Sequence, residues 1–156
     1  MENVWDYPRP PALVPCTRRV RIELGGAVIA DSTRALRILE TSHPPTIYVP
    51  PGDFAPGALR AADARSTFCE WKGRATYWDV VGADGVTVAQ AAGWSYPDPV
   101  PAYAELRDHV AVYPGRMERC RLDEETVRAQ EGDFYGGWIT DDITGRMKGG
   151  PGTWGW

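Results

Sequence analysis

Lysine, histidine and cysteine are all scarce in this chain of 156 residues, which has two Lys, two His and three Cys. The formal net charge is −4, so overall positive charge is not available to hold a polyanion, and no nucleic-acid partner is expected. The cysteines stand at 16, 69 and 120, and no Cys-x-x-Cys occurs. Neither a disulfide framework nor a zinc ribbon is encoded, and packed free thiols are expected instead. No apolar run approaches the ~18 residues of a membrane span, so no membrane partner is expected. The opening Met1-Glu2-Asn3-Val4-Trp5-Asp6 lacks the basic-then-apolar layout of a signal peptide, and a cytoplasmic location follows as the expectation.

Punctuation and polar aromatics are abundant. Glycine (17) and proline (14) make up about a fifth of the chain, too much for a helical bundle and suited to short strands with tight turns. Seven Trp and seven Tyr stand against three Phe. Trp and Tyr carry a polar handle and suit pocket walls as well as cores. The length fits one domain able to bury roughly 68–70% of its unfolded surface.

Residues 1–17 read as an extended, proline-rich arm around Trp5 and Tyr7. Val20, Ile22 and Leu24 alternate with Arg19, Arg21 and Glu23, and Gly25-Gly26 then turns the chain into Ala27-Val28-Ile29-Ala30 as a hairpin. Asp31 to Glu40 fits either a short capped helix or a strand. Further strands are expected at Thr46–Val49, Ser66–Trp71, Arg74–Val81, Val86–Ala89 and Ala91–Tyr96, with a hairpin turn at Asp84-Gly85. Residues 102–109 give one short helix entered from Pro101. Val110–Tyr113 is a strand, with Met117–Leu122 as a possible pairing partner. The core then covers 18–122. The Gly- and Trp-rich tail, 134–156, is expected to dock on the domain with little regular structure. The fold class is mainly β, a sandwich or barrel-like closure of about eight short strands.

Several of these segments match a known pattern: Gly26 with Ala30-Asp31-Ser32, Glu40, Pro45, Tyr48, Cys69-Glu70-Trp71-Lys72-Gly73, Tyr77, Trp94-Ser95-Tyr96-Pro97-Asp98-Pro99 and Val110-Ala111-Val112-Tyr113. From Val20 to about Glu118 the chain resembles the bacterial and fungal family known as domain of unknown function 427, which also carries a nucleotidyltransferase heading. Glu70 departs from it, standing where the family usually has Pro. The resemblance implies a β-tent, two roughly orthogonal antiparallel sheets, similar to the thalidomide-binding domain of cereblon and to methionine sulfoxide reductase B. The paired Cys-x-x-Cys zinc clamp common in those relatives is missing, so no metal and no cofactor are carried over. The chain also lacks a Gly-Ser followed by Asp-x-Asp, the device that holds magnesium and phosphates in nucleotidyltransferases.

Lys72 is the most pointed candidate, one of only two lysines and set in a tight Trp-Lys-Gly segment. A partly desolvated ammonium there would bind an anion or act as a base; the bland alternative is a solvated turn lysine. Trp71, Tyr77, Trp94 and Tyr96 suggest an aromatic box for a flat or cationic ligand, against the alternative of a plain aromatic core. Glu40, His43, Tyr48 and Asp53 group around a proline turn, where Glu40 facing Lys72 or Arg34 would give an acid–base or binding pair. Cys69 is weighed as a strand nucleophile and lacks a resolving partner.

The expectation is a small-molecule site of unknown ligand walled by Trp71, Tyr77, Trp94, Tyr96 and Tyr48, with Lys72 and Glu40 as its charged groups, in a monomer or homodimer. Two competitors remain: an enzyme using Lys72 with Glu40 or Asp98 on an anionic or nucleotide-like substrate, and an interaction module using the Trp-rich arm and tail.

Overall fold

Alternation in Val20–Leu24 builds the first sheet: Val20, Ile22 and Leu24 are buried while Arg21 and Glu23 face outward. Gly25 and Gly26 adopt φ of +68° and +87°, as a tight reversal into Ala27–Ser32 requires. Arg119–Leu122 pairs antiparallel with Val20–Leu24 and then with Glu125–Thr126. Met117–Leu122 therefore does not pair with Val110–Val112. The reason lies in its own alternation: Cys120 and Leu122 meet Ile22 and Val20, while Arg119 and Arg121 reach Glu23 at 2.6 and 3.4 Å.

The ambiguous stretch after Asp31 resolves as a strand. Leu36–Leu39 lies between Ala12–Pro15 and Thr46–Tyr48, with Leu36 and Ile38 buried. Val49 and Val110 exchange two backbone hydrogen bonds of 2.8 Å, which joins this sheet to the next. That sheet runs Val110–Val112, Val88–Ser95, Gly73–Val81 and Leu59–Ala61, with Thr67–Cys69 also paired to Gly73–Val81. The protein is mainly β, in several antiparallel sheets.

Three local readings are refined. The Asp84-Gly85 reversal is a longer loop, because the Asp84 carboxylate accepts from the amides of Val86 and Thr87 and the Thr87 hydroxyl. Val86–Ala89 and Ala91–Tyr96 fuse into one strand, Val88–Ser95, in which Gln90 to Ala92 bulge opposite the single residue Asp79. The Asp79 carboxylate accepts from the bulged Ala91 amide at 2.8 Å. The expected helix at 102–109 is a 3₁₀ segment, Pro101–Leu106, kinked at Tyr103, whose hydroxyl is tied to the Pro11 carbonyl at 2.7 Å.

The structure, a computed structural model, describes residues 1–64, 66–69, 71–132, 135–153 and 156. Glu70, Phe134 and Trp154 of the motifs and tail lie outside the described residues. Trp138 of the tail is 1% exposed and belongs to the main apolar core with Ile22, Ile47 and Val112. Ile143–Thr144 pairs parallel with Glu2–Asn3, so arm and tail hold each other as well as the sheets. A second apolar cluster contains Tyr48, Trp94, Tyr96, Tyr103 and Leu106. Among the described residues, no helix is long and apolar enough to cross a membrane.

Candidate functional site

The second apolar cluster reaches the surface at a cleft of about 210 Å³. Its floor comes from adjacent strands of one sheet series. Tyr48 ends Thr46–Tyr48, Trp94 lies on Val88–Ser95 with Tyr96 just beyond, and Tyr77 pairs with Trp94 across the sheet. All four line the cleft.

Aromatic ring contacts lock this floor. Tyr48 meets Trp94 edge-on at 6.3 Å between ring centres, and Trp94 meets Tyr113 at 4.6 Å. Such pairs contribute about 0.5–1.5 kcal/mol beyond area burial. The Trp94 indole N–H donates to the Tyr48 hydroxyl at 3.2 Å, and Tyr77 shares a 2.8 Å hydrogen bond with Thr67. Burial pushes the Tyr48 and Tyr96 phenols well above their ordinary range. Both therefore stay protonated and act as neutral hydrogen-bonding groups.

The charged lining comes from the two flanks of that floor. Lys72 sits in the turn between Thr67–Cys69 and Gly73–Val81, its ammonium 6.0 Å from the Tyr96 ring centre, the outer limit of a cation–π contact. Glu40 follows Leu36–Leu39, on the far side of Thr46–Tyr48. The two charges share one cleft but form no ion pair within 4.0 Å; the nearest cation to Glu40 is the exposed Arg9, at 3.9 Å.

His43 joins Glu40 on this flank. Its Nδ1 lies 3.0 Å from the Thr41 carbonyl. A carbonyl only accepts, so Nδ1 carries the proton, and the neutral ring keeps Nε2 as an acceptor. Burial lowers the His43 pKa below its ordinary value, outweighing the nearby Glu40 carboxylate.

The remaining wall belongs to the tail. Tyr135 and Gly136 line the cleft, Tyr135 meets His43 edge-on at 5.8 Å, and Gly136 packs directly on Trp94. A Cβ at Gly136 would stand 2.2 Å from Trp94 Cη2, so only glycine permits this approach. Gln130 secures the strap, accepting from the Gly137 amide at 3.1 Å and donating to the Lys148 carbonyl at 2.6 Å. A larger open cavity of about 460 Å³ adjoins, sharing Tyr113, Gln130 and Tyr135 and adding Arg116.

Six of the residues expected from sequence thus come together: Glu40, Tyr48, Lys72, Tyr77, Trp94 and Tyr96. Others do not. Trp71 packs against the underlying cluster without lining the cleft. The Asp98 backbone lies against Gly73 beside Lys72, while its side chain is 93% exposed, stands 3.5 Å from Arg107 and does not line the cleft. Asp53 is bound by Arg34 at 2.8 Å and by the Ser32 hydroxyl, away from the cleft. Tyr113, Gln130, Tyr135 and Gly136 were not foreseen as site residues; the paired glycines 136 and 137 within an aromatic stretch were the available signal. No group of three or more His, Cys, Asp or Glu able to hold a metal is found among the described residues.

A family model labelled NTP_transf_9 and described as "Domain of unknown function (DUF427)" covers residues 12–123. No curated protein matches the chain.

Proposed function

Because the chain belongs to the DUF427 family, whose description assigns no activity, we propose from the cleft itself that this protein binds a small molecule between the aromatic floor and the tail strap. The convergence of Glu40, Tyr48, Lys72, Tyr77, Trp94 and Tyr96 on one cleft carries this reading. A plain aromatic core would not need a lysine, a carboxylate and a histidine acceptor at its open face. At about 210 Å³ the cleft has room for about seven waters at ~30 Å³ each. That lies below the ~300–1,000 Å³ of drug-sized pockets, so the ligand is small. The burial of Trp138 in the core weighs against the tail as a free docking arm for another protein.

Thermal-shift screening of a metabolite and nucleotide library tests the reading, since a ligand that prefers the native state raises stability by mass action. A hit lost in Lys72→Ala, with the variant still folded, is the expected result. Hits that survive Lys72→Ala and the bulky cleft substitution Tyr77→Trp, or no hits at all, would contradict it.

A second reading, in which the ligand is also turned over, draws on the neutral His43 with its acceptor nitrogen beside Glu40. Such a group is suited to proton transfer near neutral pH. Appearance of product from a confirmed ligand, abolished by His43→Gln, distinguishes it from binding alone.

A further inference from the structure

The cleft holds two opposite charges that do not neutralise one another. Lys72 and Glu40 both line it, yet no ion pair joins them within 4.0 Å. They enter from opposite flanks of the floor, Lys72 ahead of Gly73–Val81 and Glu40 after Leu36–Leu39. Between those strands lie Thr46–Tyr48, Val110–Val112 and Val88–Ser95, joined through the Val49–Val110 bridge, and both charges nevertheless line one cleft. Opposite charges, each partly buried and not paired with one another, on the lining of one aromatic cleft define a binding site with two electrical ends.

Each end has its own supporting groups. On the Lys72 side of the lining the Tyr77 phenol and the Thr67 hydroxyl share one hydrogen bond and leave one O–H to donate, which suits an anionic oxygen. Around Glu40 is the acceptor Nε2 of His43, fixed by the Nδ1 hydrogen bond to Thr41, which suits a positively charged N–H donor. Two other cations lie near this end. Arg9 approaches Glu40 only to 3.9 Å, is largely solvent-exposed, and donates to the Thr41 carbonyl at 3.1 Å. The Lys148 ammonium is taken up by the Trp156 carbonyl at 2.9 Å. Neither is a close ion pair with Glu40: Arg9 stands at the 3.9 Å limit with its own side chain 43% exposed, a geometry worth little, and Lys148 is held by a carbonyl instead.

Resting on the small-molecule reading above, we infer that the cleft selects a small, flat zwitterion, with its carboxylate or other oxyanion at Lys72, its ammonium at Glu40 and His43, and its body over Tyr77 and Trp94. A ligand with one charge leaves the opposite end of the cleft desolvated and unpaired, which costs affinity.

Isothermal titration with three near-isosteric probes tests this: 4-(aminomethyl)benzoate, which carries both charges, 4-methylbenzylamine, which lacks the carboxylate, and 4-ethylbenzoate, which lacks the ammonium. The expected result is at least tenfold tighter binding of the doubly charged probe. In Lys72→Met its advantage over the amine should vanish while its advantage over the acid remains; in Glu40→Gln the pattern should reverse. Because the readout is a change of preference within each variant, a general loss of stability cannot imitate it. Equal binding of the acid and the zwitterion, preferences unmoved by either substitution, or no binding of any probe would overturn the inference. The small-molecule reading would still stand if library hits required Lys72 in the thermal-shift screen.

Discussion

Ser42, buried next to the cleft residue His43, carries backbone strain. Ser42 adopts φ +69°, a conformation costly for any residue with a Cβ, and its fully buried hydroxyl has no hydrogen-bond partner among the described residues. Its backbone meanwhile ties arm to tail, the amide donating to the Val4 carbonyl and the carbonyl accepting from Lys148. Ser42→Gly keeps both backbone bonds, removes the orphan hydroxyl and relaxes the strain, against a gain of about 0.4–1 kcal/mol in unfolded-state entropy. The variant should be more stable by about 1 kcal/mol in chemical denaturation; a loss of stability would mean that the hydroxyl has a partner in solution. His43 shows a linkage effect. Its folded pKa is lowered by burial, so the native state resists protonation. The corresponding stability is present above the ordinary value of 6.5 and is lost as pH falls through the lowered one. Between pH 6.5 and 5 the unfolding free energy of the native protein should fall more steeply than that of His43→Gln, and equal slopes would contradict the burial.

At the scale of elements, the site is a composite. Within the family-matched residues 12–123, strands supply the floor and the segments flanking them supply both charges, and a strap outside that range supplies the remaining wall. The strap depends on glycine where Gly136 rests on Trp94 and where Gly137 rests on Pro44. Gly136→Ala places a carbon 2.2 Å from the Trp94 ring, and overpacking of this kind costs about 1–3 kcal/mol. A lowered melting temperature together with a red shift of tryptophan emission is the expected result; unchanged values for both would show that the strap does not rest on Trp94. The strands were legible in the sequence because alternation and Gly turns act locally, as at Val20–Leu24 and Gly25-Gly26. The Gln90–Ala92 bulge and the 3₁₀ form of Pro101–Leu106 were not, since distant groups impose them: the Asp79 carboxylate in one case and the Pro11 carbonyl in the other. The partner of Arg119–Leu122 escaped for a similar reason, because its match to Val20–Leu24 spans about a hundred residues of chain.

For the molecule as a whole, the tryptophans divide by what they hold together. Trp138 anchors the tail in the main core, and Trp5 meets Trp156 edge-on where arm and tail converge. Trp94 alone among the described tryptophans lines the cleft. The grouping of Glu40, Lys72 and the tyrosines on one cleft was legible from motif order, but the direction of the Asp98 side chain was not: proximity in sequence to Trp94 and Tyr96 says nothing about which way a side chain between two prolines points, and this one points to solvent. Trp94 therefore provides an internal reporter with Trp138 as its control. The most direct test of a ligand site between floor and strap is the ¹⁵N–¹H spectrum of the indole N–H groups, recorded with each compound that stabilises the protein in the thermal-shift screen. Binding in the cleft should move the Trp94 resonance, whose N–H lies 3.2 Å from the Tyr48 hydroxyl, and leave Trp138 in place. A stabilising compound that leaves Trp94 unmoved, or shifts only Trp5 or Trp138, would contradict the account.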